Sequence, residues 1–261
     1  MAARPALIVP DELMGQERVH RAMLDGLFPQ GAGRRAALDP ELRFVFLCFT
    51  NRCGSNYLAE LIASSGQLNP AEEVFNGETI AAHVREQALA SFSAYVDFLC
   101  RRLARSGFFF AKLGLEQLLM LTETGLLDEI GPRAKFILLE RRDRLAQAIS
   151  LLVAIQTQQW TSRQQRLVED AALVYDRALL AAQQEKIMRE TFAFYRFFAS
   201  NGIAPKHLTY EDVLADPIGA VSDIDAWLGL EALAARPDQV SIARQESPIK
   251  TLWHRRFTAG L

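Results

Sequence analysis

An unbroken apolar run, Phe44 to Phe49, ends abruptly at Thr50-Asn51-Arg52, turns through Cys53-Gly54-Ser55 and resumes as Tyr57-Leu58-Ala59-Glu60-Leu61-Ile62. A short apolar run bounded by turn residues reads as a strand buried on both faces, the environment of a parallel sheet covered by helices. Leu58, Leu61 and Ile62 then fall at helical spacing. A helix that starts directly after such a turn aims unpaired backbone N–H groups, and the positive end of its dipole, at whatever lies above. An anion is the guest that suits it.

The rest of the chain continues the alternation. Strands are predicted at 43–49, 108–113, 135–140 and 207–210, the third being "KFILLE" after Gly131-Pro132. Helices are predicted at 56–64, 144–160 and 218–228, the last following Asp216-Pro217. Within 163–200, Ile187, Thr191, Phe194, Tyr195 and Phe198 form one helical stripe that Asn201-Gly202 closes. The stretch "SSGQLNPAEEVFNGET" lacks periodicity and reads as loop. This order predicts an α/β fold with a central parallel sheet flanked by helices, occupying residues 43–261. Residues 1–42 read as an N-terminal arm with one short helix at 17–27 and solvated Arg34 and Arg35. The arm would pack on its own domain or on the partner subunit of a homodimer.

Composition narrows the function classes. A formal net charge of -2 gives no reason to expect nucleic acid as a partner, though a local basic cluster can still grip one small anion. Cys48, Cys53 and Cys100 have no metal-ligand spacing, so no metal is expected, and an odd count argues against a disulfide framework. A reducing, cytoplasmic setting fits. No apolar stretch approaches the roughly 20 residues of a membrane helix, and 5–10 is too short for a secretory signal core.

The turn after the first strand lacks the lysine of a nucleoside triphosphatase loop, and no G-x-G-x-x-G follows the strand. A kinase-like transferase is therefore disfavoured. Gly54 permits close backbone approach, Ser55 offers a hydroxyl, and Arg52 brings a guanidinium fork suited to phosphate or sulfate oxygens. Glu72 and Glu73 lie in a loop able to fold back over this turn, where a carboxylate can take a proton from an attacking hydroxyl. Arg141 and Arg142 follow the third strand, at the edge where open α/β sheets bind ligands, and Ser150 lies along the helix that Asp143 caps. Each feature also has a plain alternative: a solvated loop charge for the glutamates, surface ion pairs for the arginines. His20, His83 and His207 show no ligand spacing and read as structural or solvated.

Taken together, Arg52-Cys53-Gly54-Ser55, Gly66 with Glu73-Val74-Phe75, Lys112-Leu113, "RRDRLAQAISLLVAIQTQQW", "LTYEDVLADP" and "RQESPIKTLWHRRF" resemble the carbohydrate sulfotransferases typified by trehalose 2-sulfotransferase. The resemblance spans 44–257. It implies a P-loop-like sulfotransferase architecture, 3′-phosphoadenosine 5′-phosphosulfate (PAPS) as cosubstrate, and a sugar or glycoconjugate hydroxyl as acceptor. By it, Arg52, Cys53, Gly54, Ser55, Asn56 and Tyr57 look like the phosphosulfate loop, Arg141 and Ser150 like the 3′-phosphate contacts, and Glu73 like the general base. Lys112, Gln156 and Trp160 are candidates for the acceptor side, and Trp253, His254 and Arg256 for a segment closing over the nucleotide. The sequence departs from the family at Asn56, where a hydroxyl residue is usual, at Cys53, where serine is common, and at Val74, where an aromatic is frequent. A catalytically silent nucleotide-binding module acting through a protein partner is the rival reading, and the presence of both Glu73 and Arg141 favours the enzyme.

Overall fold

The computed structural model describes residues 6–29, 31, 38–230, 233–242 and 247–259. Arg34 and Arg35 lie outside these described residues. Four strands, β1 (Arg43–Phe49), β2 (Phe108–Leu113), β3 (Ala134–Glu140) and β4 (Lys206–Thr209), form one parallel sheet in the order β2-β1-β3-β4. In chain order the helices are α1 (Val19–Leu27), α2 (Ser55–Ala63), α3 (Gly77–Gln87), α4 (Phe92–Leu103), α5 (Leu115–Glu123) and α6 (Leu126–Ile130). They continue as α7 (Arg144–Thr157), α8 (Arg177–Ser200), α9 (Tyr210–Ala215), α10 (Pro217–Leu228) and α11 (Pro248–Thr258). The predicted central parallel sheet flanked by helices is what the chain forms.

The unbroken apolar run of β1 is explained by burial on both faces. Phe44, Phe46 and Cys48 join one core cluster with residues of α3 to α6 and α8, while Val45, Leu47 and Phe49 join a second with residues of α2 and α10. Successive side chains point to opposite faces, so only a strand covered twice needs every position apolar. Removing one such ring, for example the fully buried Phe46, typically costs about 3–5 kcal/mol. The N-terminal segment contributes to the first cluster: Leu13, Leu24 and Phe28 are buried there, and α1 packs on α3 and α5.

Where the helices differ from expectation, the ends explain it. Helix α2 starts one residue early, at Ser55, because Gly54 at φ 95° serves as its N-cap. Helix α7 stops at Thr157 rather than 160, because Gln158 turns left-handed at φ 55°. The 163–200 segment is helical only from Arg177, where the Asp176 side chain accepts from the Leu179 N–H at 2.9 Å. Residues 158–176 instead form a loop containing one short 3-10 turn, Asp170–Ala172. No helix among the described residues is long and apolar enough to cross a membrane.

From β1 the chain crosses to β2 on one side, and from β3 to β4 on the other. The two connections diverge between the carboxyl ends of β1 and β3, which opens a crevice there.

Candidate active site

A cavity of about 830 Å³ fills this crevice. Its walls come from the turn after β1, the first turn of α2, Glu73, Arg141 after β3, Ser150 on α7, the loop around Trp160, Tyr210 and the first turns of α11.

The turn after β1 is held from below. The fully buried Gln147 side chain donates through Nε2 to Thr50 Oγ1 and to the Asn51 carbonyl, both at 2.8 Å. Arg52 sits at φ 66° and Gly54 at φ 95°, so two left-handed residues in three reverse the chain into α2. A non-glycine residue there is uncommon and costs strain that its surroundings must offset. The Arg52 Nε donates to Ser150 Oγ at 3.1 Å and its Nη1 donates to the Trp160 carbonyl, which tethers the strained residue to α7 and the overlying loop. The α2 N-terminus has no side-chain cap, and its first residues, Ser55, Asn56 and Tyr57, line the cavity at the positive end of the helix dipole.

The Tyr210 ring lies against Gly54 so closely that a Cβ there would come within 2.2 Å of Cδ2. Over the same ring, 5.3 Å from its centroid, sits the Arg141 guanidinium. Arg141 Nε is buried and, among the described residues, has no hydrogen-bond partner, an arrangement that is costly unless an acceptor arrives. The neighbouring Arg142 turns the other way, into a two-contact pair with Asp212 at 2.8 Å, while Glu211 accepts from the N–H groups of Arg142 and Asp143. Of the two arginines, only Arg141 lines the cavity.

The cavity gathers positive charge on this side. Burial, and then the charge of Arg141, lowers the Arg52 guanidinium below its ordinary range. Lys250, in the first turn of α11, is pushed down to about 8, first by burial and then by Arg52, Arg141 and Arg166, against an opposing pull from Asp170. Cations crowded together in this way favour an anionic guest.

The carboxylate side is built by the loop that follows α2. The Lys112 backbone N–H donates to the Glu72 carbonyl at 3.0 Å, which draws residues 72–73 across the end of β2. Glu72 then faces solvent and Glu73 lines the cavity. Lys112, with its side chain 6% exposed, donates to Glu73 Oε1 at 3.3 Å and also to Asn56 Oδ1.

Of the residues singled out from sequence, Arg52, Gly54, Ser55, Asn56, Tyr57, Glu73, Arg141, Ser150, Trp160 and His254 share the cavity wall. Cys53 does not: its thiol is fully buried beneath α2, and burial raises it to about 12. Gln156 also lies outside the wall, where its carboxamide pairs with the Val174 backbone in both directions at 2.9 Å and fastens the 158–176 loop to α7. Trp253 is core, edge-on to Tyr175, and Arg256 covers the Tyr175 ring at 4.1 Å. The histidines outside the site have local partners: His20 Nδ1 accepts from the Gly77 N–H at 3.2 Å, His83 lies beside Tyr95, and His207 stacks on Tyr195. Tyr210, Lys250 and Arg255 were not singled out, although all three sit inside the segments "LTYEDVLADP" and "RQESPIKTLWHRRF".

Residues 115–260 match the Stf0 sulphotransferase family. That stretch includes Arg141, Ser150, Tyr210 and Lys250; the turn after β1, Glu73 and Lys112 precede it. No curated protein matches the chain. Among solved structures, retinol dehydratase in a complex with retinol and PAP is similar over 91% of this chain and 69% of its own, at 14% identity and a TM-score of 0.40.

Proposed function

The chain belongs to the Stf0 sulphotransferase family, and from that premise we propose that it transfers a sulfuryl group from PAPS to a hydroxyl of a sugar or glycoconjugate, with Glu73 as general base. The observation that carries the nucleotide assignment is Arg141: a buried guanidinium nitrogen without an acceptor among the described residues, on a side chain that lines the same cavity as a helix N-terminus with no side-chain cap.

PAPS supplies an activated sulfuryl group on its 5′-phosphate. Arg52 and the first-turn N–H groups of α2 hold that end, where negative charge accumulates as the sulfuryl group leaves. Donors fixed in place before the reaction stabilise such charge without reorganising. Arg141 and Ser150 hold the 3′-phosphate, and Lys250 adds a cation to the same wall. Glu73 receives the acceptor hydroxyl's proton on its carboxylate, and Trp160 offers an indole face to the apolar side of a sugar ring. Cys53 contributes through the loop backbone, Gln156 by holding the loop that carries Trp160, and Lys112 from behind Glu73. The proposal includes an arm of residues 1–42 folded onto a domain of 43–261. It also includes a cytoplasmic setting, in keeping with the free, buried thiols of Cys48, Cys53 and Cys100.

Calorimetry with 3′-phosphoadenosine 5′-phosphate (PAP), followed by mass spectrometry of sugars incubated with PAPS, tests the reading. PAP should bind, and Arg141→Ala should weaken it by about 10- to 100-fold, the loss of charge-assisted hydrogen bonds. PAP binding without sulfated product across a broad acceptor panel would instead support a silent module.

The same titration carries a pH prediction. Lys250 is protonated below about 8 and loses its charge above it, and an anion binds the protonated form better. PAP affinity should therefore be level between about pH 7 and 8, where the phosphates of PAP are ionised, and fall as pH rises further, and Lys250→Met should flatten that fall. A decline that survives the substitution would assign it to another group.

A further inference from the structure

We propose that Lys112 is a positioning residue whose ammonium group fixes the sense of the Asn56 carboxamide, so that Nδ2 donates into the cavity toward the sulfuryl group beside Glu73. The inference rests on the sulfotransferase reading of this site.

An ammonium group has donors only, so whichever atom of the Asn56 side chain meets Lys112 Nζ must be the acceptor Oδ1. The amide plane then sends Nδ2 away from Lys112. Asn56 belongs to the cavity wall, and among the described residues Nδ2 has no acceptor. A carboxamide free to rotate would present either a donor or an acceptor to an anion, and the acceptor would repel it. Lys112 removes that ambiguity. Its side chain comes up from β2, 6% exposed, over the Phe49 ring at 5.5 Å, and the same Nζ holds Glu73 Oε1 at 3.3 Å. One buried cation thus sets the direction of a donor and the place of a base, leaving Glu73 Oε2 for the acceptor hydroxyl. This gives the loop a donor that depends on a residue from a different strand, 56 positions away.

The test compares Asn56→Thr, Asn56→Asp and Lys112→Met by kcat, KM for PAPS, PAP affinity and melting temperature. Asn56→Thr keeps a donor and should retain kcat/KM within about tenfold. Asn56→Asp is isosteric and can pair with Lys112, but turns an oxyanion to the cavity; kcat/KM should fall by about 100-fold or more. Lys112→Met should lower kcat/KM in the wild-type background several-fold more than in the Asn56→Thr background, because a hydroxyl rotor needs no orienting. Asp tolerated as well as Thr, or an additive cycle, overturns the inference while PAP binding and turnover of the wild type leave the sulfotransferase reading standing. A wild type with neither binding nor turnover overturns both. Should Lys112→Met fail to fold, the two Asn56 variants decide alone.

Discussion

Glutamine in place of Glu73 should reduce sulfuryl transfer by about 10²- to 10⁴-fold, the range associated with loss of a positioned general base, while PAP affinity stays within about twofold. The reasoning is local. A carboxamide keeps the size of the carboxylate and can still accept from Lys112 Nζ, which lies 3.3 Å from Oε1. What it cannot do is take a proton from an acceptor hydroxyl. On the proposed reading the nucleotide is held by Arg141, Ser150 and the first-turn N–H groups of α2, and Glu73 is not among its contacts. Steady-state turnover beside PAP calorimetry separates the two effects. Retained turnover with the true acceptor would move the base elsewhere, and loss of PAP binding would make Glu73 structural.

Gly54→Ala should be nearly as damaging, but through binding and stability together. At φ 95° a Cβ is strained whatever the space, a cost of roughly 1–3 kcal/mol. Here the space is also taken, since the new carbon would sit 2.2 Å from Tyr210 Cδ2. Tyr210 would have to move, and Arg141 rests over its ring. PAP binding should therefore fall by at least about 100-fold, with the melting temperature lowered by roughly 2–4 °C per kcal/mol in a domain of this size. Adding Tyr210→Leu should restore part of the melting temperature but little of the binding, because the backbone strain persists and Arg141 loses its platform. Wild-type PAP affinity in Gly54→Ala would mean that the turn does not approach the nucleotide.

The parts of the fold legible from sequence are those where one physical requirement fixes many residues. Strands β1 and β2 fall on their predicted limits, because burial on both faces demands apolar residues at almost every position, Arg43 at the exposed start of β1 and Lys112 near the end of β2 being the exceptions. Helix α3 is hidden in the sequence for the opposite reason. In α3 only Gly77 and Ile80 are buried, so a mixed run such as "GETIAAHVREQ" carries almost no apolar stripe to read. The course of the 158–176 loop is set by contacts distant in sequence, such as Arg52 to the Trp160 carbonyl and Ser247 to Asp170 at 2.6 Å, which no local pattern records.

The candidate site divides the same way. The turn at 50–55 announces itself, since an abrupt end to an apolar strand followed by Gly and a helix has few physical uses. Arg141 and Arg142 are chemically identical neighbours; Glu211, which accepts from the Arg142 and Asp143 N–H groups, and Asp212, which pairs with the Arg142 guanidinium, turn Arg142 away from the cavity. Lys250 becomes conspicuous only when folding brings it beside Arg52 and Arg141. The pairing of Lys112 with Asn56 spans 56 positions and leaves no local mark in the sequence.

A crystal structure with PAP bound tests the placement of the nucleotide most directly. The 5′-phosphate should rest on the first-turn N–H groups of α2 beside Gly54, and a 3′-phosphate oxygen should accept from Arg141 Nε. PAP found at another surface, with Arg141 Nε still lacking an acceptor and the crevice between β1 and β3 unfilled, would refute it.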